Sequence, residues 1–345
     1  MSGIVSYGFY VPKFRIKTTE IARSWGKDSQ QILNSLKVSE KAVAGQDEDS
    51  LTMAFSAAQN ALNFDDIDRN QVKGVFFGSE TPAYAVNPSS TIIADFLGIE
   101  NNYYLAYDTQ FACKAATGAL VSALAYIEKN APGYALVCGS DKANSKPADA
   151  LEFTAASASV ALLIGTEDVA VEIIDTLSYS SDTPDFWRRS GSNYPNHAGR
   201  FTGKPAYFTH VTNASTALLE KNNLKAEDFQ YCVFHMPNSK FPVQVARSLG
   251  FEKHQYEDSL VVSYLGNSYS ASSLMGLMAV LEKAKEGDKI FFCSYGSGAG
   301  SDAFIFEVTG NLEKRRQEFA KVVDQKEYID YFTYRTFMEP SGHGF

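Results

Sequence analysis

The chain has 345 residues, of which 45% are hydrophobic and 21% are charged. These fractions are typical of a folded globular protein and exclude a disordered chain. The formal net charge of −9 disfavours nucleic acid as the main partner, because phosphate binding needs a basic surface. No apolar run approaches the roughly 20 residues of a membrane span, and no signal-peptide pattern is present. We therefore expect a cytoplasmic protein that does not bind membranes.

Predicted strands alternate with predicted helices along most of the chain, an order that is typical of α/β proteins. Apolar runs that stop at glycine or proline predict strands, and alanine-rich segments behind acidic or Ser/Pro starts predict helices. The predicted strands cover residues 3–11, 72–78, 105–109, 134–139, 157–165, 232–235 and 290–296. The predicted helices cover residues 19–27, 29–36, 47–62, 88–97, 115–127 and 271–281.

Two stretches lack a clear period. Residues 177–207 are rich in Ser, Asp, Pro, Asn and Arg, which predicts an irregular insertion that covers a site. The tail from residue 312 is charged and aromatic, and we expect it to form a helix and an extended arm on the surface or at a subunit contact.

Two segments of the chain read as copies of one another. Cys113 opens Cys-Lys-Ala-Ala-Thr-Gly-Ala-Leu, Asn267 opens Asn-Ser-Tyr-Ser-Ala-Ser-Ser-Leu, and each leads into a helix pattern that ends in Glu-Lys. Aligning the two Glu-Lys pairs places Cys113 opposite Asn267. The upstream strands also match, and they lead to Glu80 in one copy and His235 in the other. This duplication predicts one composite active site between two related halves.

The helix patterns behind Cys113 and Asn267 carry almost no charge. A helix that is apolar on all sides must be buried on all sides. Two such helices, each flanked by sheets, favour a five-layer α-β-α-β-α sandwich over a doubly wound single sheet. We expect a pseudo-duplicated α/β fold with an N-terminal half of residues 1–166 and a C-terminal half of residues 167–345.

Cys113 is a candidate nucleophile. A thiol in the first turn of a helix meets the helix dipole and free N–H groups, which stabilise the thiolate and lower its pKa. The alternative is a small core cysteine, and the spacing alone leaves both readings open. The tight turn and the repeat favour the nucleophile. The other cysteines, Cys138, Cys232 and Cys293, lie in apolar strands and predict buried, reduced, structural thiols.

Three further polar residues are candidates for the same site. His235 follows an apolar strand and precedes Met-Pro, so we expect its ring at a strand end, where sites of α/β proteins gather. A structural histidine is the alternative. Asn267 is typical of a helix N-cap, and its amide could also help to hold an oxyanion. Without the repeat, Glu80 in Gly-Ser-Glu-Thr-Pro would be interpreted as a solvated loop glutamate.

The glycine-rich segment 296–301 lacks the spacing of a P-loop or of a dinucleotide fingerprint. We expect it to present backbone N–H groups to a carbonyl oxygen. No cluster of His, Cys, Asp and Glu has the spacing of metal ligands, so we expect no metal.

Taken together, the motifs resemble the hydroxymethylglutaryl-CoA synthases of the short archaeal type, within the thiolase superfamily. The resemblance spans nearly the whole chain in the expected order. Its pieces are residues 78–81, 112–117, 161–165, 185–189, 199–208, 235–240, 266–269 and 294–298.

The resemblance implies a thiolase-like fold and an acyltransferase of the mevalonate pathway, with no cofactor beyond CoA thioesters as substrates. Acetyl-CoA would acylate Cys113, and Glu80 would then remove a proton from the acetyl methyl group. The carbanion would attack the ketone of acetoacetyl-CoA, which His235 polarises together with Asn267. The backbone N–H of Ser297 would serve as an oxyanion donor.

Other positions follow from the resemblance. Arg200 and Lys240 match positions that contact CoA. Many members of the family are expected to have a basic residue where this chain has Gln244, so part of the CoA contact should differ here. The matched positions that line the acyl site are Asp28, Thr154 and Thr202.

The resemblance also implies a homo-oligomer, either a dimer or a tetramer. It raises the possibility of a complex with an acetoacetyl-CoA thiolase and a small OB-fold zinc protein. Three alternatives stay open: an initiating β-ketoacyl synthase, an acyltransferase subunit of a multicomponent assembly, and a non-catalytic scaffold for a thiolase.

Overall fold

A computed structural model describes residues 2–339. The strands within this range are β1 (Gly3–Tyr10), β2 (Phe14–Lys17), β3 (Glu40–Val43), β4 (Val72–Gly78), β5 (Leu105–Thr109), β6 (Tyr134–Lys142), β7 (Ser157–Gly165), β8 (Val171–Thr183), β9 (Phe186–Trp187), β10 (Asn196–His197), β11 (Tyr231–Phe234), β12 (Lys289–Cys293), β13 (Gly298–Val308) and β14 (Glu327–Tyr328).

The α-helices of the same range vary from 4 to 16 residues in length. They are α1 (Thr18–Ser24), α2 (Ser29–Leu36), α3 (Ser50–Leu62), α4 (Ser89–Phe96), α5 (Ala115–Asn130), α6 (Phe208–Lys221), α7 (Lys240–Ser248), α8 (Lys253–Tyr256), α9 (Val262–Leu265), α10 (Ser272–Leu281), α11 (Leu312–Arg315), α12 (Phe319–Asp324) and α13 (Tyr331–Met338).

The main sheet repeats one strand pattern in two arms. The first arm has the order β1-β7-β6-β4-β5 and the second has the order β8-β13-β12-β11. In each arm the first two pairings are antiparallel and the third is parallel. The arms join where β1 pairs with β8 over two residues at each strand. The duplication predicted from the sequence is therefore present in the sheet.

The hydrophobic cores define the layers. Apolar side chains of α3 pack on the outer face of the first arm, and those of α6 pack on the outer face of the second arm. Helices α5 and α10 share one central core with strands of both arms. The order of layers is α3, first arm, α5 with α10, second arm and α6, which confirms the thiolase-like five-layer sandwich.

The central helices differ in their burial. All ten residues of α10 are buried, as predicted for a helix without charge. Helix α5 leaves Ala125 exposed, so it is not buried on all sides. The proposed boundary between residues 166 and 167 falls in the turn that joins β7 to β8, and it stays a prediction.

The predictions for the two segments that lack a clear period need correction. Residues 177–183 are not part of a loop, because they continue β8, whose backbone pairs with β13. That pairing satisfies the hydrogen bonds of a polar segment whose composition suggested a loop. The tail also packs into the body of the protein: Phe319, Tyr334 and Met338 are buried, and β14 pairs with β2. Residues 340–345 lie outside the described part of the chain.

Within residues 2–339, no helix is both long and apolar enough to cross a membrane. The cysteines at 138, 232 and 293 are free and buried, as predicted.

Candidate active site

Cys113 lies in a sharp turn between β5 and α5. The preceding residue, Ala112, has a φ of +45°, which is uncommon for a residue with a side chain. At the equivalent point of the second half, Gly266 precedes Asn267 with a φ of +79°. A residue with a positive φ thus precedes both Cys113 and Asn267. Backbone strain of this kind clusters at functional sites.

The expected lowering of the Cys113 pKa is wrong. Burial raises the pKa of the thiol well above its ordinary value, and the nearby carboxylates of Glu80, Asp141 and Asp185 raise it further. Helix α5 begins at Ala115, two residues beyond the cysteine, so the thiol stands outside the first turn. Desolvation and three negative charges outweigh the helix dipole. The resting site therefore holds a neutral thiol.

Glu80 lies directly beside this thiol. It follows β4, and the two side chains are close enough for the charge of Glu80 to raise the pKa of Cys113. Burial and then the charge of Asp141 raise the pKa of Glu80 to about 8. Its Oε1 atom is buried and has no hydrogen-bond partner among residues 2–339. Such an atom is rare in folded proteins unless a ligand or water meets it.

Asp141 holds the segment that carries Glu80. Its Oδ1 accepts the backbone N–H groups of Glu80 and Thr81 at 2.8 and 2.9 Å. Its Oδ2 accepts the backbone N–H of Ser270 from the second half at 2.9 Å. Sequence reasoning missed Asp141. The available signal was a carboxylate near the end of β6, an otherwise apolar strand.

His235 stands at the end of β11, as predicted. The backbone N–H of His235 donates to the carbonyl of Cys293 at 2.9 Å, and its backbone carbonyl accepts the hydroxyl of Tyr207 at 2.7 Å. Burial lowers the pKa of the imidazole to about 3, so the ring is neutral near pH 7. Its Nδ1 is buried without a hydrogen-bond partner in the described range.

Tyr295 connects the histidine to the cysteine side of the site. Its ring centroid lies 6.2 Å from that of His235, and burial, followed by the charge of Asp185, raises the pKa of the Tyr295 hydroxyl. The Tyr295 hydroxyl donates to Oδ2 of Asp185 at 2.8 Å. Neither Tyr295 nor Asp185 stood out as a site residue in the sequence, although both lie inside the motifs of the resemblance.

Thr202 and the neighbour of Ser297 both form hydrogen bonds with Asp185. Asp185 Oδ1 accepts the N–H of Gly298, the neighbour of Ser297, at 2.8 Å. The hydroxyl of Thr202 donates to the carbonyl of Asp185 at 3.3 Å. Among residues 2–339, the N–H of Ser297 itself donates no hydrogen bond to the protein. It is free to meet a ligand.

Asn267 and Thr154 are also brought together. The N–H of Asn267 donates to the carbonyl of Thr154 at 2.7 Å. The Asn267 side-chain oxygen accepts the N–H of Tyr269 at 3.1 Å. The residue therefore caps the following turn, and its amide NH₂ group remains available for a substrate oxygen.

The remaining predicted residues lie on the surface. Asp28 is exposed and is the N-cap of α2, where it accepts from the N–H groups of Gln30 and Gln31. Arg200 and Lys240 are exposed. Their segments meet where Gly203 packs against the ring of Phe241.

A pocket of about 1070 Å³ opens onto the buried group. Its walls include Glu80, Ala112 and Ser297 together with the arginine-bearing hairpin of β9 and β10. Arg188 on this hairpin donates to the Glu80 carbonyl at 3.0 Å. Another pocket, of about 1140 Å³, lies between α6 and α8 and contains none of the candidate residues. Among residues 2–339, no three His, Cys, Asp or Glu side chains are grouped as metal ligands.

The fold and this site define a class: a thiolase-fold acyltransferase of the condensing type. Comparison with known proteins identifies the family. Residues 1–169 match the model of the hydroxymethylglutaryl-coenzyme A synthase N-terminal region, and residues 219–308 match the C-terminal model of 3-oxoacyl-[acyl-carrier-protein] synthase III.

Whole-chain relatives agree with that match. The hydroxymethylglutaryl-CoA synthase of Methanocaldococcus jannaschii is 47% identical over 340 residues, with 98% of each chain covered. That of Methanosarcina mazei is 48% identical over 337 residues, with 96% of each chain covered. The chain belongs to the hydroxymethylglutaryl-CoA synthase family.

Solved structures show the same fold. A synthase complexed with CoA superimposes with a TM-score of 0.90 at 23% identity, covering 99% of this chain and 91% of that one. A synthase in complex with 3-hydroxy-3-methylglutaryl coenzyme A also gives a TM-score of 0.90 at 23% identity, covering 98% and 91%.

Proposed function

We propose that the chain condenses acetyl-CoA with acetoacetyl-CoA and water to give 3-hydroxy-3-methylglutaryl-CoA and CoA, the hydroxymethylglutaryl-CoA synthase reaction of the mevalonate pathway. The observation that supports the assignment of roles is the Oε1 atom of Glu80, which is buried near Cys113 without a hydrogen-bond partner in the described range. In this proposal Glu80 is the carboxylate base beside the nucleophilic sulfur, in a pocket that Glu80 lines.

The first step transfers the acetyl group. The Cys113 sulfur attacks the thioester carbonyl of acetyl-CoA, the bond to the CoA sulfur breaks, and CoA leaves with the thiol proton. The free N–H of Ser297 is positioned to stabilise the oxyanion. Losing one such donor typically lowers the rate by roughly 10²–10³-fold.

The second step forms the carbon–carbon bond. Glu80 takes a proton from the methyl group of the acetyl thioester, and the resulting enolate attacks the ketone of acetoacetyl-CoA. A pKa of about 8 suits a carboxylate that must accept a proton near neutral pH. Neutral His235 and the amide of Asn267 donate hydrogen bonds to the developing alkoxide, which then takes up the proton. Water hydrolyses the thioester at Cys113 and releases the product.

We propose that Arg200 and Lys240 contribute to CoA binding. Both are exposed cations, and exposed cations suit phosphate groups. Gln244 lies one helical turn beyond Lys240 on α7 and supplies no charge there. Replacing either cation by glutamine should raise KM for acetyl-CoA with little change in kcat. Acyl-site roles for Asp28, Thr154 and Thr202 are proposed on the family match alone.

Assembly and location are also proposals. A homo-oligomer, a complex with an acetoacetyl-CoA thiolase and a small OB-fold zinc protein, and a cytoplasmic location all rest on the resemblance. Sedimentation of the chain alone and with each partner would test the two assemblies.

The decisive experiment separates acylation from condensation. In Glu80→Gln, radiolabelled acetyl-CoA should still label Cys113, while loss of the acetoacetyl-CoA enolate absorbance should stop. Glu40→Gln is the matched control, because Glu40 is buried but bonds only to the tail residues Lys326 and Tyr328. Its condensation rate should stay near that of the unchanged enzyme.

The alternatives give different outcomes. A scaffold would remain unlabelled, and Cys113→Ala should abolish labelling in the enzyme while Cys138→Ala retains it. An acyltransferase subunit or a β-ketoacyl synthase would be labelled but would not consume acetoacetyl-CoA. Condensation that persists in Glu80→Gln would overturn the assignment of the base.

A further inference from the structure

The residue that follows the nucleophile forms a buried ion pair across the two halves. Nζ of Lys114 lies 3.0 Å from Oδ1 of Asp302, and the two side chains are 6% and 1% exposed. Lys114 belongs to the first half, directly beside Cys113, whereas Asp302 lies in β13 of the second half. None of the chemical steps above uses either residue.

The Lys114 side chain passes close to Gly296 and Gly300, where a residue with a Cβ atom would crowd it. A Cβ atom on Gly296 would lie 2.5 Å from Lys114 Cγ, and one on Gly300 would lie 3.1 Å from its Cε. A Cβ on Gly118 would lie 3.7 Å from its Nζ. The Lys114 ammonium also lies 4.1 Å from the ring centroid of Phe111. The Lys114 side chain is therefore closely packed against Gly296 and Gly300.

Asp302 is fully engaged by its neighbours. Its Oδ2 accepts the hydroxyl of Thr117 at 2.7 Å, and its Oδ1 accepts the hydroxyl of Ser178 at 2.7 Å. A buried carboxylate with this many partners is rigid, because any displacement leaves a charge or a hydroxyl unpaired. The aspartate thus provides a fixed end for the Lys114 side chain.

Gly296 and Gly300 also flank Ser297, the proposed oxyanion donor. Gly296 and Gly300 exchange two backbone hydrogen bonds of 2.8 Å and close a tight turn. Ser297 lies inside this turn, with its N–H free. Lys114 therefore contacts both ends of the Ser297 turn while it is covalently joined to Cys113.

We propose that Lys114 and Asp302 are a positioning pair that sets the distance between the sulfur of Cys113 and the N–H of Ser297. This inference rests on the proposed function, in which that N–H stabilises the thioester oxyanion. The pair contributes no net charge, since the ammonium is neutralised by the carboxylate. Its effect is geometric, and a misplacement of about 1 Å near the chemistry can cost roughly 10²-fold in rate.

The test removes the pair without leaving a buried charge. Lys114→Met alone leaves a buried, unpaired carboxylate and should destabilise the fold. Lys114→Met with Asp302→Asn removes both charges, and the amide keeps hydrogen-bonding groups for the hydroxyls of Thr117 and Ser178. We expect the double variant to unfold near the denaturant midpoint of the unchanged protein. Its acetylation of Cys113 should nevertheless be slower by about 10²-fold.

A spectroscopic signature separates positioning from general stability. With [1-¹³C]acetyl-CoA, the carbonyl carbon of acetyl-Cys113 reports its hydrogen bond to the Ser297 N–H. In the double variant its ¹³C signal should move toward that of free acetyl-CoA. Arg315→Met with Asp66→Asn is the control, because that ion pair also joins the two halves, at 2.6 Å, and neither residue lines the pocket. Its acetylation rate and ¹³C signal should not change.

Each outcome has one meaning. If the double variant is acetylated at the unchanged rate with an unchanged ¹³C signal, the positioning role is wrong. If the double variant does not fold, Thr117→Val, which removes one hydrogen bond to Asp302, must slow acetylation and shift the signal in the same direction, or the inference fails. If the unchanged protein takes no acetyl label at Cys113, the proposed function itself is wrong.

Discussion

The backbone N–H of Glu80 donates to Oδ1 of Asp141 at 2.8 Å, so that two carboxylates lie in one buried site. The same aspartate accepts from the Ser270 N–H and hydroxyl, which belong to the second half. The proposed base is thus held by a residue that also joins the halves. The negative charge of that residue, together with burial, sets the protonation of Glu80.

The first prediction concerns stability against pH. The pKa of Glu80 is about 8 in the folded chain and 4.5 when unperturbed. Between these values the folded protein keeps a proton that the unfolded chain has lost, so this group's contribution is complete below pH 4.5 and declines as the pH rises to about 8. Glu80→Gln does not titrate and should be the more stable protein at pH 8. Urea unfolding at pH 5 and pH 8 measures the difference.

The catalytic counterpart has the opposite sign. Condensation needs the ionised carboxylate, so its rate from preformed acetyl-enzyme should increase with pH and level off above about 8. A rate that is flat from pH 6 to pH 9 would contradict the raised pKa.

The second prediction concerns His235. Because burial lowers its pKa to about 3, the imidazole should stay neutral from pH 5 to pH 8, and its NMR signals should not move in that range. This lowered pKa adds stability above pH 6.5 that is lost as the pH falls toward 3. His235→Ala should slow condensation by roughly 10²–10³-fold, and His235→Gln, which keeps an N–H donor, by less. A signal that titrates near pH 6.5 would show that the ring is charged.

The third prediction compares two glycines that have similar positive φ angles. Gly266 has a φ of +79°, and a Cβ there would lie 2.7 Å from the Thr154 carbonyl oxygen; Gly287 has a φ of +84°, and a Cβ there would meet nothing within 4 Å. Gly287→Ala should cost about 1 kcal/mol of conformational strain. Gly266→Ala should cost more and should also slow condensation, because Asn267 must shift. Equal losses in both variants, measured by urea unfolding and by assay, would exclude this packing role.

The fourth prediction concerns the tail. The buried carboxylate of Glu152 accepts the hydroxyl of Tyr331 at 2.8 Å and pairs with Arg335 at 3.5 Å, and both belong to α13. Glu152→Gln leaves Arg335 and the buried Lys41 without this anion, which should cost about 3–5 kcal/mol. Glu257→Gln, which removes an exposed partner of Lys253, should change stability little.

The loss at Glu152 should depend on pH. Burial lowers the pKa of Lys41 to about 7, so the lysine can discharge as the pH rises. Glu152→Gln should therefore be less destabilising at pH 9 than at pH 6 in thermal or urea unfolding. A loss that is the same at both pH values would mean that Lys41 keeps its proton.

Much of the fold was predictable because its signals are local. Apolar runs marked most strands of both arms, and the charge-free helix behind Asn267 is buried throughout, as its pattern requires. The equivalence of Cys113 and Asn267 was visible as a repeat, and the positive φ of the residue before each of them, Ala112 and Gly266, is its structural counterpart. Residues 177–183 were misread because their composition is polar, while pairing with a distant strand supplies their hydrogen bonds.

The sequence by itself determined which residue types stand at the strand ends and turns, because periodicity and spacing are properties of neighbouring residues. Only the tertiary structure decided their environment. Asp141 and Asp185 are far from Cys113 in the chain, yet with burial they reverse the expected direction of its pKa. Lys114 and Asp302 are 188 positions apart by their numbers and become one ion pair only when the halves close. Charge and desolvation act through space, so their balance is set by the folded chain.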